Sequence, residues 1–297
     1  MAKNDNAQCW AELWKASVKK PDKDADAKQA ERWNQRSDHF GKAQKGGEDR
    51  QKKKADEILK LLKKAGFSPK GAKVLDIGCG PGALSIPLAR AGATVTAVDI
   101  ASGMLDRLRE TAKNDKLDIT TMEASWYTAD IDQLKFRKKF DLVLASMTPA
   151  VRDLETFDRM MACSKKYCYY SNFIKRDMGG KGHLELHRIL GELPAMGHAG
   201  GPKDHDHGPG PGLVYPFLYL YTLGYQPLLR LNHAKRSREQ DAKEAAEHTI
   251  EMVEKKRKMS ADEKKKVRDH FMSVSKDGIY KTESETYSGM MVWEIRK

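Results

Sequence analysis

Three glycines and two acids carry the clearest chemistry in this chain of 297 residues. Gly78, Gly80 and Gly82 follow directly on a short apolar run, Val74-Leu75-Asp76-Ile77, and a helical pattern starts just after them. Glycine permits positive φ and lets a ligand come close to the main chain. Asp76 lies two residues before the first glycine, and Asp99 closes the next apolar run, Thr94–Val98. A carboxylate at the second place can accept two hydrogen bonds from a ribose diol.

The spacing fits two cofactors. Gly78-x-Gly80-x-x-Ala83 satisfies the dinucleotide fingerprint, with Asp99 near the distance of a ribose acid. Asp76 decides between them. A dinucleotide would bring a pyrophosphate onto the glycine backbone, where a further carboxylate repels it. S-adenosylmethionine carries an ammonium and a sulfonium instead, which an acid attracts. The sequence therefore favours S-adenosylmethionine, with S-adenosylhomocysteine as product.

These residues need a scaffold that presents strand ends. Val74–Ile77, Thr94–Val98, Ile119–Met122, Phe140–Ser146 and Tyr167–Ile174 read as strands, with helices over Ala83–Ala91, Ser102–Lys113 and Ala150–Cys163 between them. Ser102 is the expected N-cap of its helix. Such β-α repeats imply a parallel sheet with right-handed crossovers. Beyond them, Gln226–Asn232 and Met290–Ile295 supply two more strands. Ser237–Lys258 and Ala261–Val274 read as charged helices, with Ser260 and Glu263 at capping-box spacing. Asp277-Gly278 marks a turn. An amphipathic helix over 48–65 places Ala55, Ile58, Leu59 and Leu62 on one face. The expected fold class is α/β: a Rossmann-like, mostly parallel, seven-stranded sheet with helices on both faces, an N-terminal helical extension and a C-terminal helical insertion. The expected division is 1–68 as extension and 69–297 as core, with a loop-rich lid at 175–213 and the insertion at 237–276.

Val74-Leu75-Asp76-Ile77-Gly78-Cys79-Gly80-Pro81-Gly82, with Val98-Asp99-Ile100 and Met104-Leu105, resembles the class I S-adenosylmethionine-dependent methyltransferases. The resemblance covers about residues 70–175. It implies that Asp76, Gly78, Cys79, Gly80 and Gly82 contact the methionine part of the cofactor, that Asp99 holds the ribose, that Ile100 packs on the adenine, and that Met104 is among the cofactor-binding residues. It also implies adenine contacts at Ser125 and Trp126 and places Ser146 and Met147 near the sulfonium and substrate. Many members carry Asp where this chain has Ser125. Trp33 and Phe40 resemble aromatic residues on an N-terminal helix that covers the cofactor; they serve equally well as core anchors.

The sequence also excludes some chemistry. Ser146-Met147-Thr148-Pro149-Ala150 is not the Asn/Asp-Pro-Pro-aromatic motif of enzymes that methylate exocyclic amines, and no Pro-Cys pair suggests attack on a pyrimidine. Cys9, Cys79, Cys163 and Cys168 have neither disulfide nor zinc spacing. His183, His187, His198, His205 and His207 cluster in one stretch. Asp204-His205-Asp206-His207 has the composition of a metal tract, but a solvated loop is the favoured reading, and no metal is assigned. Tyr215, Phe217, Tyr219 and Tyr221 suit a pocket wall less well than core packing.

The net charge of +12 suggests attraction to anions but names none. Acids interrupt most of the basic runs. A small-molecule acceptor is expected. An RNA methyltransferase using Lys52–Lys54 and Lys255–Lys258, and a non-catalytic cofactor-binding protein, are the alternatives. No apolar run spans a bilayer, and a cytoplasmic protein without membrane partners is expected. A catalytic base and an oligomeric state are not assigned.

Overall fold

The structure, a computed structural model, describes residues 5–18, 24–37, 47–177, 186, 188–190, 212–255 and 257–295. Phe40 and the histidines at 183, 187, 198, 205 and 207 lie outside these, as does most of the expected 175–213 lid. The described chain divides into two compact units. One comprises Met1–Asn172, Pro211–Arg230 and Gly289–Lys297; the other comprises Phe173–Gly210 and Leu231–Ser288.

The first unit opens with three helices, α1 (Asp5–Ser17), α2 (Ala25–Ser37) and α3 (Gly47–Lys64). Trp14 of α1 is fully buried against Phe157 and Tyr219. Ala55, Ile58 and Leu62 of α3 are buried, as the amphipathic pattern requires, and Leu59 is half-buried.

The sheet strands are β1 (Lys73–Ile77), β2 (Thr94–Asp99), β3 (Ile119–Glu123), β4 (Phe140–Ser146), β5 (Ser164–Asp177), β6 (Leu228–Asp241) and β7 (Ile279–Glu294). Their spatial order is β3-β2-β1-β4-β5-β7-β6. The ladders β1–β2, β1–β4, β2–β3 and β4–β5 are all parallel. Sequence order reverses direction at β1, so the crevice at the carboxyl ends of β1 and β4 is where an open α/β sheet binds ligands. Val74, Leu75, Ile77, Leu142, Val143 and Leu144 are buried, the continuous apolar run expected of strands covered on both faces.

Helices α4 (Ser85–Arg90), α5 (Ser102–Asn114) and α6 (Leu154–Cys163) link these strands. Pro87 is the third residue of α4, where its missing N–H has no intrahelical partner to lose. Helix α6 starts four residues later than the sequence suggests. Asp153 caps it, accepting from the Thr156 N–H at 2.9 Å in a capping box, so Ala150 stays in the turn before it.

The N-terminus of α5 departs from expectation. Its N-cap is Ala101, which makes no side-chain cap, and Ser102 is already helical. The Gly103 N–H instead donates to Oδ1 of Asn34, 2.9 Å away on α2.

Val214–Thr222 folds as a helix, α7, that packs on α1. Tyr219 is thereby committed to core contacts with Trp14 and Phe157, and its hydroxyl donates to Asp158 at 3.4 Å.

The second unit holds α8 (Ala242–Glu254) and α9 (Ala261–Val274) around its own apolar cluster, with Ala246, Ile250, Val253, Val267 and Phe271 buried. The Ser260–Glu263 capping box forms as its spacing requires. The helix expected from Ser237 does not start there: β6 continues to Asp241, which caps α8 by accepting from Lys243 and Glu244 N–H. Strand β7 likewise starts eleven residues before the expected Met290. Asp277 and Gly278 both have positive φ and make a tight turn closed by paired Lys276 and Ile279 backbone bonds.

Candidate active site

The carboxyl ends of β1, β2 and β4 open into one cavity within the first unit. Gly78, Cys79, Gly80, Asp99, Ile100, Met104, Ser125, Trp126 and Ser146 line it, nine of the residues singled out from the sequence. Met147 and Trp33 line it too.

The glycine loop is shaped by what surrounds it. Gly78 and Cys79 both donate their N–H to the Val98 carbonyl, which ties the loop to the end of β2. A Cβ on Gly78 would sit 2.0 Å from Oγ1 of Thr148, so the loop after β4 presses on the glycine loop with no room for a methyl group. Gly80 (φ +54) differs: a Cβ there would meet nothing within 4 Å. Its bare face opens on the cavity, leaving the main chain available to a ligand.

Asp99 stands at the cavity wall. Its Oδ2 accepts from the Gly80 N–H at 2.8 Å and its Oδ1 from the Ala101 N–H at 2.9 Å. A carboxylate offers about four acceptor sites, so about two are left for a ligand. Burial pushes its acidity constant up, and the backbone N–H groups of Ala101, Gly80 and Ile100 pull in the other direction.

Asp76 does not line the cavity, contrary to expectation, and neither does Gly82. Asp76 is buried behind the loop, where the Ser85 hydroxyl donates to it at 2.6 Å. Burial raises its pKa to about 7, opposed by the Ser85 bond and reinforced by the charge of Asp99. Gly82 packs against Leu108 of α5. Apolar strands on both sides keep the Asp76 side chain off the surface; only its position beside the start of α4 lets Ser85 reach it.

The wall beside Asp99 comes from the segment after β3, whose Ala124 N–H donates to the Asp99 carbonyl, and is held by α6. The Trp126 indole N–H donates to the Thr156 carbonyl at 3.0 Å. Arg159 donates to the carbonyls of Trp126 and Tyr127. The Tyr127 hydroxyl donates to the Pro149 carbonyl at 2.6 Å, and the Arg152 guanidinium lies 3.9 Å above its ring. Burial pushes the Tyr127 hydroxyl up to about 12, so it stays a proton donor at neutral pH. Ser146 and Ser171 hydroxyls meet at 3.0 Å, and the next residue after Ser146, Met147, has φ +52. A non-glycine residue in that region is uncommon, and such backbone concentrates at functional sites.

Gln29 and Trp33 of α2 complete the lining. Gln29, Tyr127, Thr148, Pro149 and Ala150 are site residues that the sequence does not single out. Thr148–Ala150 follow directly on an expected residue, whereas Gln29 is brought in by packing alone. The aromatic residues of α7 are absent from the cavity lining. Cys163 and Cys168 are buried with raised thiol acidity constants, which suits packing and not attack. Among the described residues no group of three or more metal-ligating side chains exists, and no helix is long and apolar enough to cross a membrane.

Residues 74–166 match the family model described as a methyltransferase domain. A ubiquinone biosynthesis O-methyltransferase of Pelagibacter ubique is 37% identical over 89 residues, 30% of this chain and 35% of that one. A malonyl-[acyl-carrier protein] O-methyltransferase of Geobacter sulfurreducens is 36% identical over 119 residues, 39% and 41% of the two chains. The chain thus spans about a quarter to two fifths of the length of these and the other curated relatives it matches. A solved magnesium protoporphyrin IX methyltransferase from Synechocystis, with S-adenosylhomocysteine bound, is similar over 79% of this chain and 81% of its own, at 18% identity and a TM-score of 0.41. Over residues 74–166, then, the chain is similar to a methyltransferase domain.

Proposed function

We propose that this chain transfers a methyl group from S-adenosylmethionine to an oxygen of a small-molecule acceptor. The observation that carries this reading is that Asp99, the open face of Gly80 and the Ser146–Ala150 turn meet in one cavity. The residues fit the cofactor on two counts. Asp99 keeps acceptor capacity beyond its two backbone bonds, which suits a ribose diol. The bare side of Gly80 leaves space where a side chain would block a ligand.

Bound there, the cofactor supplies a methyl carbon on a positively charged sulfur, already a good leaving group. The chain's own task is alignment and exclusion of water. Asp99 holds the ribose. Ile100, Met104 and Trp126 offer apolar surface to the adenine. Ser146 and Met147 shape the end at which the acceptor approaches in line. A hydroxyl acceptor would release its proton to solvent as its oxygen takes the methyl carbon, and the breaking carbon–sulfur bond would leave its electron pair on sulfur. The O-methyltransferases among the relatives support oxygen as the accepting atom.

The test is methyl-labelled cofactor incubated with the purified chain and a size-fractionated extract. Label in the small-molecule fraction is expected; label confined to RNA or protein overturns the acceptor. Calorimetry with S-adenosylhomocysteine checks the cofactor separately. Asp99→Asn is expected to raise its Kd at least tenfold, on the order of one charge-assisted hydrogen bond. An unchanged Kd removes Asp99 from the site.

A further inference from the structure

We propose that Asn34 is a positioning residue: it latches α2, and with it the Gln29–Trp33 wall, onto the N-terminus of α5.

Helix α5 begins without a cap of its own, because its N-cap is Ala101. An N-cap side chain normally accepts from the second or third helical N–H. Here the second of these, on Gly103, donates to Asn34 Oδ1 from 69 residues away in sequence. Asn34 thus fills the cap role from another helix. The fit is close: a Cβ on Gly103 would lie 2.8 Å from Ser37 Oγ and 3.3 Å from Asn34 Oδ1. The Ser37 hydroxyl donates to the Asn34 carbonyl at 2.7 Å, which tightens the last turn of α2 against the glycine.

Both sides of this joint reach the cavity. On α2, Trp33 precedes Asn34, and Gln29 lies four residues before Trp33 on the same face; both line the cavity. On α5, the Ala101 N–H holds Asp99, and Met104 lines the cavity. The start of α5 is therefore gripped from two directions, by Asp99 from the cavity wall and by Asn34 from the covering helix. Releasing Asn34 frees one wall of the cavity and leaves the glycine loop in place.

The use of a ligand in the test rests on the cofactor reading above, so two measurements are paired. Hydrogen exchange without ligand follows α2 and the first turn of α5. Stopped-flow tryptophan emission follows release of S-adenosylhomocysteine. In Asn34→Ala, exchange is expected to quicken in both segments and release to speed up about fivefold, the size of one lost cap. Asn34→Asp keeps the acceptor and adds a charge that suits a helix N-terminus, so it is expected to restore both. Unchanged exchange in Asn34→Ala, or no rescue by Asn34→Asp, overturns the latch. Faster exchange with no binding of the ligand by the wild-type chain leaves the latch standing and overturns the cofactor reading.

Discussion

Asp76 is the residue whose environment departs most from what its neighbours suggest. It is buried, the Ser85 hydroxyl donates to it, and its pKa is raised to about 7. An unfolded aspartate titrates near 3.9. Between these values the folded state holds a proton that the unfolded state has lost. The stability this group contributes is therefore full below about pH 4 and falls as pH rises towards 7. Asp76→Asn can still accept from Ser85 and does not ionise. Its stability relative to the wild type is expected to improve across that window, with a limiting slope of about 1.4 kcal/mol per pH unit. Urea titrations of both chains at several pH values check this; parallel pH profiles would exclude the assignment. The acid was legible in the sequence as part of a loop that favours one cofactor. Its burial was not, because nothing local says that Ser85 would reach it.

Helix α6 matters to the site although none of its side chains lines the cavity. Thr156 and Arg159 hold Trp126 and the main chain of Tyr127 from behind. Arg159→Met leaves two carbonyls without that donor. It is expected to cost about 1–3 kcal/mol and to weaken S-adenosylhomocysteine binding. Its ion-pair partner Glu155 is 82% exposed, and Glu155→Gln is expected to change neither by more than about 0.5 kcal/mol. Thermal denaturation and calorimetry of both variants provide the comparison; equal effects would mean that the ion pair, and not the carbonyl bonds, matters. At this scale the sequence was readable where patterns are local. The strands from Val74 to Ser146 and the Ser260–Glu263 box follow from apolar runs and cap spacing. The stretch Ser237–Gln240 defeats a local reading because its residues suit a helix in isolation, while a neighbouring strand claims their backbone. The cap of α5 escapes one because it comes from a different helix.

The two compact units have separate buried clusters, and all five tryptophans (Trp10, Trp14, Trp33, Trp126 and Trp293) fall in the first. Tryptophan emission therefore reports on the unit that carries the cavity, while far-UV dichroism also reports on α8 and α9. A ligand that binds only the folded form stabilises it by about 2.7 kcal/mol at a hundredfold excess over Kd. With S-adenosylhomocysteine the tryptophan-detected urea midpoint is expected to rise accordingly. A midpoint that does not move while the dichroism midpoint does would place the binding site in the other unit. Topology was legible at this scale from the β-α rhythm. The split into units was not, since Gly289–Lys297 rejoins a core begun far earlier in the chain.

The contact between Gly78 and Thr148 bears on how such an enzyme can be re-engineered. The segment after β4 is the natural place to graft a different acceptor preference, because it faces the cavity and lies outside the sheet. Yet Thr148 Oγ1 already occupies the space that any side chain at 78 would need. A donor segment with a bulkier residue at 148 would push on the loop proposed to receive the methyl donor. Chimeras that retain threonine or something smaller at 148 should keep donor affinity while their acceptor range changes. Those that do not should lose both together, so the two specificities are inherited as a pair.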